Sequence, residues 1–216
     1  MIVVQCEQGT PAWDEARRGL ATASCFAEII SKGRKAGEES VGRRDLRLRL
    51  ALERRAGATM PSYSSPAMRL GTERESEARL AYEVETGMLV EQVGFCRHDS
   101  LLAGASPDGL LPDVQGAIEC KCPGWNAHAL ALDCSTEPPQ YRAQIQGVMW
   151  VCGLRFCDFV SYCPDFEERL RLVIVRVKRD QAYIDMLAAE IAVFLEDVAQ
   201  QEAYFRDHPG RKHGIG

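Results

Sequence analysis

Apolar residues along this chain follow a helical period up to about residue 87, after which short strand-like stretches alternate with helical ones. Pro11 to Arg18 predicts a short helix, with proline in the first turn, where a missing N–H costs nothing. Thr22-Ala23-Ser24 offers a hydroxyl cap for a second helix reaching about Ser31. Gly33 to Glu39 is loop-like. From Ser40 to about Ala56 leucines recur at helical spacing, Leu46 with Leu50 and Leu48 with Leu52, and Gly57 ends the run. Gly57 to Ser65 is a turn-rich break with Pro61, Ser62, Ser64 and Ser65, and a longer helix is expected from Pro66 to Thr86.

Val90 to His98, Leu101 to Ala105 and Gly116 to Cys122 are short and apolar or alternating, with turn signals such as Pro107-Asp108-Gly109 between them. They predict three strands of a meander. Pro138-Pro139 opens a helix through about Cys152. Phe156 to Cys163 and Leu170 to Val177 predict two further strands, and Asp180 caps a last helix to about Phe205. The order implies an α/β (α+β) core, a central mixed sheet flanked by helices. With 216 residues the expectation is a single domain over 1–216, helical over about 10–87 and sheet-bearing over about 90–206.

Composition narrows the classes. A 46% hydrophobic share with 26% charged residues suits a globular protein with a full core. No apolar run is long enough to cross a bilayer, and the first residues lack a basic stretch followed by an apolar one, so the expected location is cytoplasmic. The nine cysteines include no C-x-x-C pair, which argues against structural zinc or an iron–sulfur cluster and for reduced, mostly buried thiols. A net charge of −5 argues against coating nucleic acid by bulk electrostatics. The charge is uneven, however. Lys32, Arg34 and Lys35 cluster, and Arg43, Arg44, Arg47, Arg49, Arg54 and Arg55 share one predicted helix. Such a helix either lines a channel for a polyanion or faces solvent.

The segment with chemistry is Ser106-Pro107-Asp108-Gly109, followed eleven residues after the aspartate by Glu119-Cys120-Lys121. Residues two apart on a strand share a face, so Glu119 and Lys121 project together. Asp108, at a turn beside that strand, reaches the same point if the strands pair. Two hard carboxylates and a cation then converge, a set that suits Mg²⁺ and a phosphodiester. Glu-x-Lys is also the ordinary pattern of a solvated strand face. Against that stand the apolar neighbours Ile118 and Cys120, which place the pair on a buried strand, where unpaired charge is costly.

D-(x)n-E-x-K on adjacent strands resembles the PD-(D/E)XK nucleases. Further stretches resemble one branch of them, the phage lambda-exonuclease or YqaJ-type viral recombinase family. These are Glu7-Gln8-Gly9 with Trp13 and Arg17, Thr22-Ala23-Ser24, Gly71-Thr72-Glu73-Arg74-Glu75, Ser106-Pro107-Asp108-Gly109, Glu119-Cys120-Lys121-Cys122-Pro123, and Tyr141 through Trp150. The resemblance implies a 5′→3′ exonuclease that degrades one strand from double-stranded DNA ends to mononucleotides. It implies Mg²⁺, with Mn²⁺ able to substitute, a ring-shaped homotrimer, a phage or prophage setting in a bacterial cytoplasm, and a single-strand annealing protein as partner. Asp108 and Glu119 match its metal ligands, Lys121 its catalytic lysine, and Glu75 and Gln144 further residues at the metals. Arg17, Ser24 and Ser106 match positions that hold the 5′ phosphate.

The chain departs from the family after the lysine strand. Where the family carries an arginine, this sequence reads Gly124-Trp125-Asn126-Ala127-His128, and His128 is the candidate substitute. Two rivals remain: an endonuclease on the same core, and a non-catalytic DNA-end-binding subunit. The absence of a helix-turn-helix or zinc module argues against the first, and the intact Asp108, Glu119 and Lys121 against the second.

Overall fold

The computed structural model describes residues 1–35, 37–60 and 66–208; the part of the predicted Gly57–Ser65 break from 61 to 65 lies outside them, as does residue 36 of the Gly33–Glu39 loop. Strand β1 (Ile2–Val4) leads to helix α1 (Pro11–Arg17), whose Thr10 hydroxyl accepts from the Trp13 N–H. A two-residue strand β2 (Ala21–Thr22) and a single 3-10 turn (Ala23–Cys25) precede α2 (Phe26–Ile30). The predicted second helix is thus split, and Ser24 sits in the 3-10 turn and not at a helix cap. Helix α3 (Val41–Ala56) is capped by the Ser40 side chain and buries Leu46 and Leu50, whereas Leu52 stays exposed. Helix α4 (Pro66–Thr86) follows.

The expected meander is divided between two sheets. Strands β3 (Phe95–Arg97) and β4 (Ala103–Ala105) pair antiparallel, and β1 and β2 add on either side to give the order β1-β3-β4-β2. The chain then leaves this sheet at Ser106-Pro107-Asp108 and enters a second one through β5 (Gly109–Leu111) and β6 (Gly116–Lys121). There the order is β5-β6-β7-β8, with β7 (Phe156–Tyr162) parallel to β6 and β8 (Leu172–Lys178) antiparallel to β7. Helix α5 (Trp125–Leu132), unanticipated from sequence, and α6 (Arg142–Cys152) form the crossover between β6 and β7. Helix α7 (Gln181–Asp207) starts at Asp180, whose carboxylate accepts from the Tyr183 N–H.

Alternation along β6 sorts its side chains between two apolar clusters. Ala117 joins the larger core with α6 and α7, while Ile118 and Cys120 pack with Ala78 and Tyr82 of α4. The second sheet therefore carries a helix on each face. Across β7 and β8, Asp158 lies opposite Arg176, which grips it through two hydrogen bonds of 2.9 and 2.8 Å, and the Tyr82 hydroxyl donates a third at 2.7 Å. This satisfies a carboxylate that is 1% exposed and accounts for Arg176 on β8. Two glycines set close approaches: a Cβ on Gly147 would overlap Phe26, and one on Gly109 would overlap Val90. The first lets α6 lie against the Ser24 turn. The second seats the Asp108 turn.

Candidate active site

Glu119 and Lys121 share one face of β6, as their spacing predicts. Gly109 pairs with Ile118, so Asp108 enters β5 beside Glu119. The Asp108 carboxylate accepts from the Cys120 backbone N–H at 2.6 Å, which orients it across the end of β6. Glu119 is 1% exposed. Its Oε1 accepts from Lys121 Nζ at 2.7 Å and from the Gln144 amide, which α6 brings over the strand. Its Oε2 is buried with no hydrogen-bond partner. A buried carboxylate oxygen without a donor is costly unless a cation meets it, so the donor set fits a hard divalent ion. Among the described residues no group of three or more His, Cys, Asp or Glu side chains is placed to hold a metal ion. Mg²⁺ takes one or two carboxylates and keeps several waters.

The electrostatics point the same way. Burial pushes the Asp108 carboxyl well above its usual range, and neighbouring Glu119 pushes it further, against the pull of Lys121. Burial also raises Glu75, with Lys121 and Arg79 opposing. Burial by itself would lower Lys121; the Glu119 and Asp108 carboxylates outweigh it, and the ammonium is held charged. Lys121 also stands 5.2 Å from the Tyr141 ring centroid. A cleft of about 790 Å³, lined by Gln8, Trp13, Glu75, Arg79 and Asp108 among others, opens onto this cluster.

The other expected residues divide. Trp13 Nε1 donates to Ser106 Oγ at 2.9 Å, and the Arg17 guanidinium lies 3.7 Å over the Trp13 ring. Parallel pairing of β2 with β4 sets Thr22 opposite Gly104, and the turn that follows β2 carries Ser24 to the wall of a small cavity that Arg17 also lines. Ser106, two residues before Asp108, is thus linked through Trp13 to Arg17, and Arg17 shares a cavity with Ser24. His128 has no such link. It is fully buried in α5, with Nδ1 2.8 Å from Ser161 Oγ and Nε2 2.8 Å from the Leu170 carbonyl, and its ring meets Phe166 edge-on. Both ring nitrogens are used in the core, so His128 is withdrawn as a phosphate ligand.

Two motif residues, Trp13 and Gln8, were given no role in the site from sequence and act as supports. Trp13, one helical turn before Arg17, bridges it to Ser106; the four-residue spacing was the available signal. Gln8 Nε2 donates to the Pro107 carbonyl at 2.9 Å and to the Val93 carbonyl at 2.8 Å, pinning the turn that carries Asp108. Gln8→Ala is expected to slow turnover roughly tenfold and to cost about 1–3 kcal/mol of stability, since two partly buried carbonyls lose a donor. Rates compared with urea melts check this; unchanged turnover would remove the positioning role. The second glutamine of the α6 motif, Gln146, faces away from the site and ties the Lys178 carbonyl and the Asp180 N–H.

This two-sheet architecture is that of the lambda-exonuclease type of nuclease fold. The alkaline exonuclease LHK-Exo of Laribacter hongkongensis superposes with a TM-score of 0.83 at 33% identity, covering 91% of this chain and 96% of that one. Its complex with dAMP matches equally well, at 34% identity over the same shares of the two chains. A phage-related exonuclease from Haemophilus somnus 129PT shares the fold at 15% identity, with a TM-score of 0.68 over 86% of this chain and 96% of its own. No curated protein matches the chain. The sequence pattern of the YqaJ-like viral recombinase domain matches residues 12–155, and the chain belongs to that family. Among the described residues no helix is long and apolar enough to cross a membrane.

Proposed function

We propose that this protein is a Mg²⁺-dependent exonuclease of the PD-(D/E)XK type that degrades one strand of double-stranded DNA, 5′→3′, from an end to mononucleotides. The observation that carries the proposal is the Glu119 carboxylate, with one oxygen held by Lys121 and Gln144 and the other buried without a partner. Asp108 and Glu119 would hold the ion, with Glu75 at its side and Mn²⁺ able to replace Mg²⁺. When bound, the metal supplies positive charge at the scissile phosphate and a lowered pKa for the attacking water. Gln144 fixes the Glu119 rotamer. Lys121 orients the nucleophile and offsets charge on phosphorus. Arg17, Ser24 and Ser106 hold the 5′ phosphate, two residues along the chain from Asp108 in the case of Ser106. The nucleoside monophosphate held by LHK-Exo belongs to the product class that this reaction releases.

A homotrimer ring around the remaining strand, an annealing protein that coats it, and work in phage recombination in the host cytoplasm complete the proposal. Linear duplex labelled at one 5′ end tests it. Labelled mononucleotide is expected early, with Mg²⁺ and not with EDTA. Internal cuts that appear equally on closed circles would instead make the protein an endonuclease, and binding without cutting would make it an end-binding subunit.

A further inference from the structure

Beside the active-site cleft, between α1, the Ser24 turn and α3, lies a smaller cavity of about 220 Å³ lined by Arg17, Thr22, Ser24, Cys25, Arg49 and Glu53 among others. Its lining is rich in donors. The Nε atoms of both Arg17 and Arg49 are buried without an acceptor. Arg49 Nη2 has only the Cys25 sulfur, at 3.5 Å. The Thr22 and Ser24 hydroxyls stand 3.2 Å apart at the same wall.

The neighbouring arginines are committed elsewhere. Arg18 pairs with Glu15. Arg43 and Arg47 of α3 pair with Glu39, and Arg43 also with Asp197 of α7. Arg54 donates through Nε to the Gly19 carbonyl and, although its Nη2 is buried without a partner, it does not line this cavity. Among the described residues neither Arg17 nor Arg49 forms an ion pair. Glu53, the buried carboxylate at the edge of the cavity, accepts from the Gly19 and Met60 backbone N–H groups. Two guanidiniums turned toward one cavity repel each other, and their desolvated N–H groups cost free energy until an anion enters. A terminal phosphate monoester carries close to two negative charges, against one for an internal diester, and presents oxygens that match guanidinium forks.

We infer that Arg49 is a second guanidinium of the 5′-phosphate grip, reaching from the arginine-rich helix α3 to the phosphate that Arg17 and Ser24 hold. Arg49 therefore determines specificity for phosphorylated over unphosphorylated ends. The inference rests on the proposed role of Arg17 and Ser24 and adds a residue that no motif marks.

The test measures binding in EDTA, so that it does not depend on cleavage. Hairpin duplexes with one open end, carrying a 5′ phosphate or a 5′ hydroxyl, are titrated by fluorescence anisotropy against wild type, Arg49→Met and Arg49→Lys. Wild type is expected to prefer the phosphorylated end by about tenfold, the scale of charge-assisted hydrogen bonds. Arg49→Met, which keeps the aliphatic stem, is expected to bring the ratio toward one, and Arg49→Lys to give an intermediate ratio. A wild-type ratio in Arg49→Met, or equal weakening at both ends, would overturn the inference by reducing Arg49 to a packing role. A wild type that does not discriminate would overturn it as well; Mg²⁺-dependent release of mononucleotides would then still support the nuclease proposal.

Discussion

Glu119→Gln is expected to lower the rate of DNA hydrolysis by at least about a thousandfold, roughly 4 kcal/mol of barrier, without unfolding the protein. The substitution is nearly isosteric. Its amide oxygen still accepts from Lys121 Nζ and from Gln144, the two donors that hold Oε1. What disappears is the charge, and with it the oxygen that has no partner inside the protein. If Glu119 only served to neutralise Lys121, the variant would lose stability and keep most of its rate. Single-turnover cleavage at saturating Mg²⁺, read beside a thermal melt, separates the two outcomes.

Asp108→Asn is expected to lower activity in the same way and, unlike Glu119→Gln, to raise stability without metal. Asp108, Glu119 and Glu75 act on one another with Lys121 as the cation common to all three. Burial first, and nearby carboxylates after it, raise the Asp108 pKa; burial does the same to Glu75. A carboxyl raised in the folded state favours folding while protonated, at pH below its unfolded value, and loses that contribution as pH climbs through the folded value. Near neutral pH without metal, ionised Asp108 therefore opposes folding. Asn keeps an oxygen for the Cys120 N–H and removes the charge, so the metal-free variant should melt above wild type, by about 2–4 °C for each kcal/mol relieved. Mg²⁺ should raise the wild-type melting temperature, because it binds the folded state, and should have little effect on the variant. Differential scanning calorimetry with EDTA and with Mg²⁺ gives both comparisons. A wild type unmoved by Mg²⁺ and Mn²⁺, or a variant less stable in EDTA, would remove Asp108 as a metal ligand.

Both substitutions act on residues visible in the sequence, and the reason is local. A carboxylate and a lysine two residues apart share a strand face whatever the strand pairs with, and Ile118 and Cys120 show that the strand is buried. Helices α3, α4 and α7 were legible for a similar reason, since leucine spacing, caps and terminal glycines lie within a few turns of one another. Strands β1, β2 and β5 were not. At two or three residues each they are too short to display alternation, and they exist because a distant segment supplies their hydrogen bonds.

Charge on helix α3 shows where local information ends. Arg43, Arg47 and Arg49 lie within two turns; the first two share a helix face that Arg49 does not, but spacing alone does not say which face meets carboxylates. Tertiary structure gives the first two acidic partners at Glu39 and Asp197, and turns the third toward Arg17. His128 makes the same point in reverse. A histidine after the lysine strand was a reasonable phosphate ligand until Ser161, Leu170 and Phe166, 33 to 42 residues away, closed around it. The sequence by itself determined the long helices, the longer strands and the convergence of Asp108, Glu119 and Lys121, because period, caps and strand alternation are properties of neighbouring residues. Which sheet each strand joins, which arginine is left without a counter-ion and which polar side chain is sealed in the core were decided by tertiary structure, because burial and hydrogen-bond satisfaction depend on partners far along the chain.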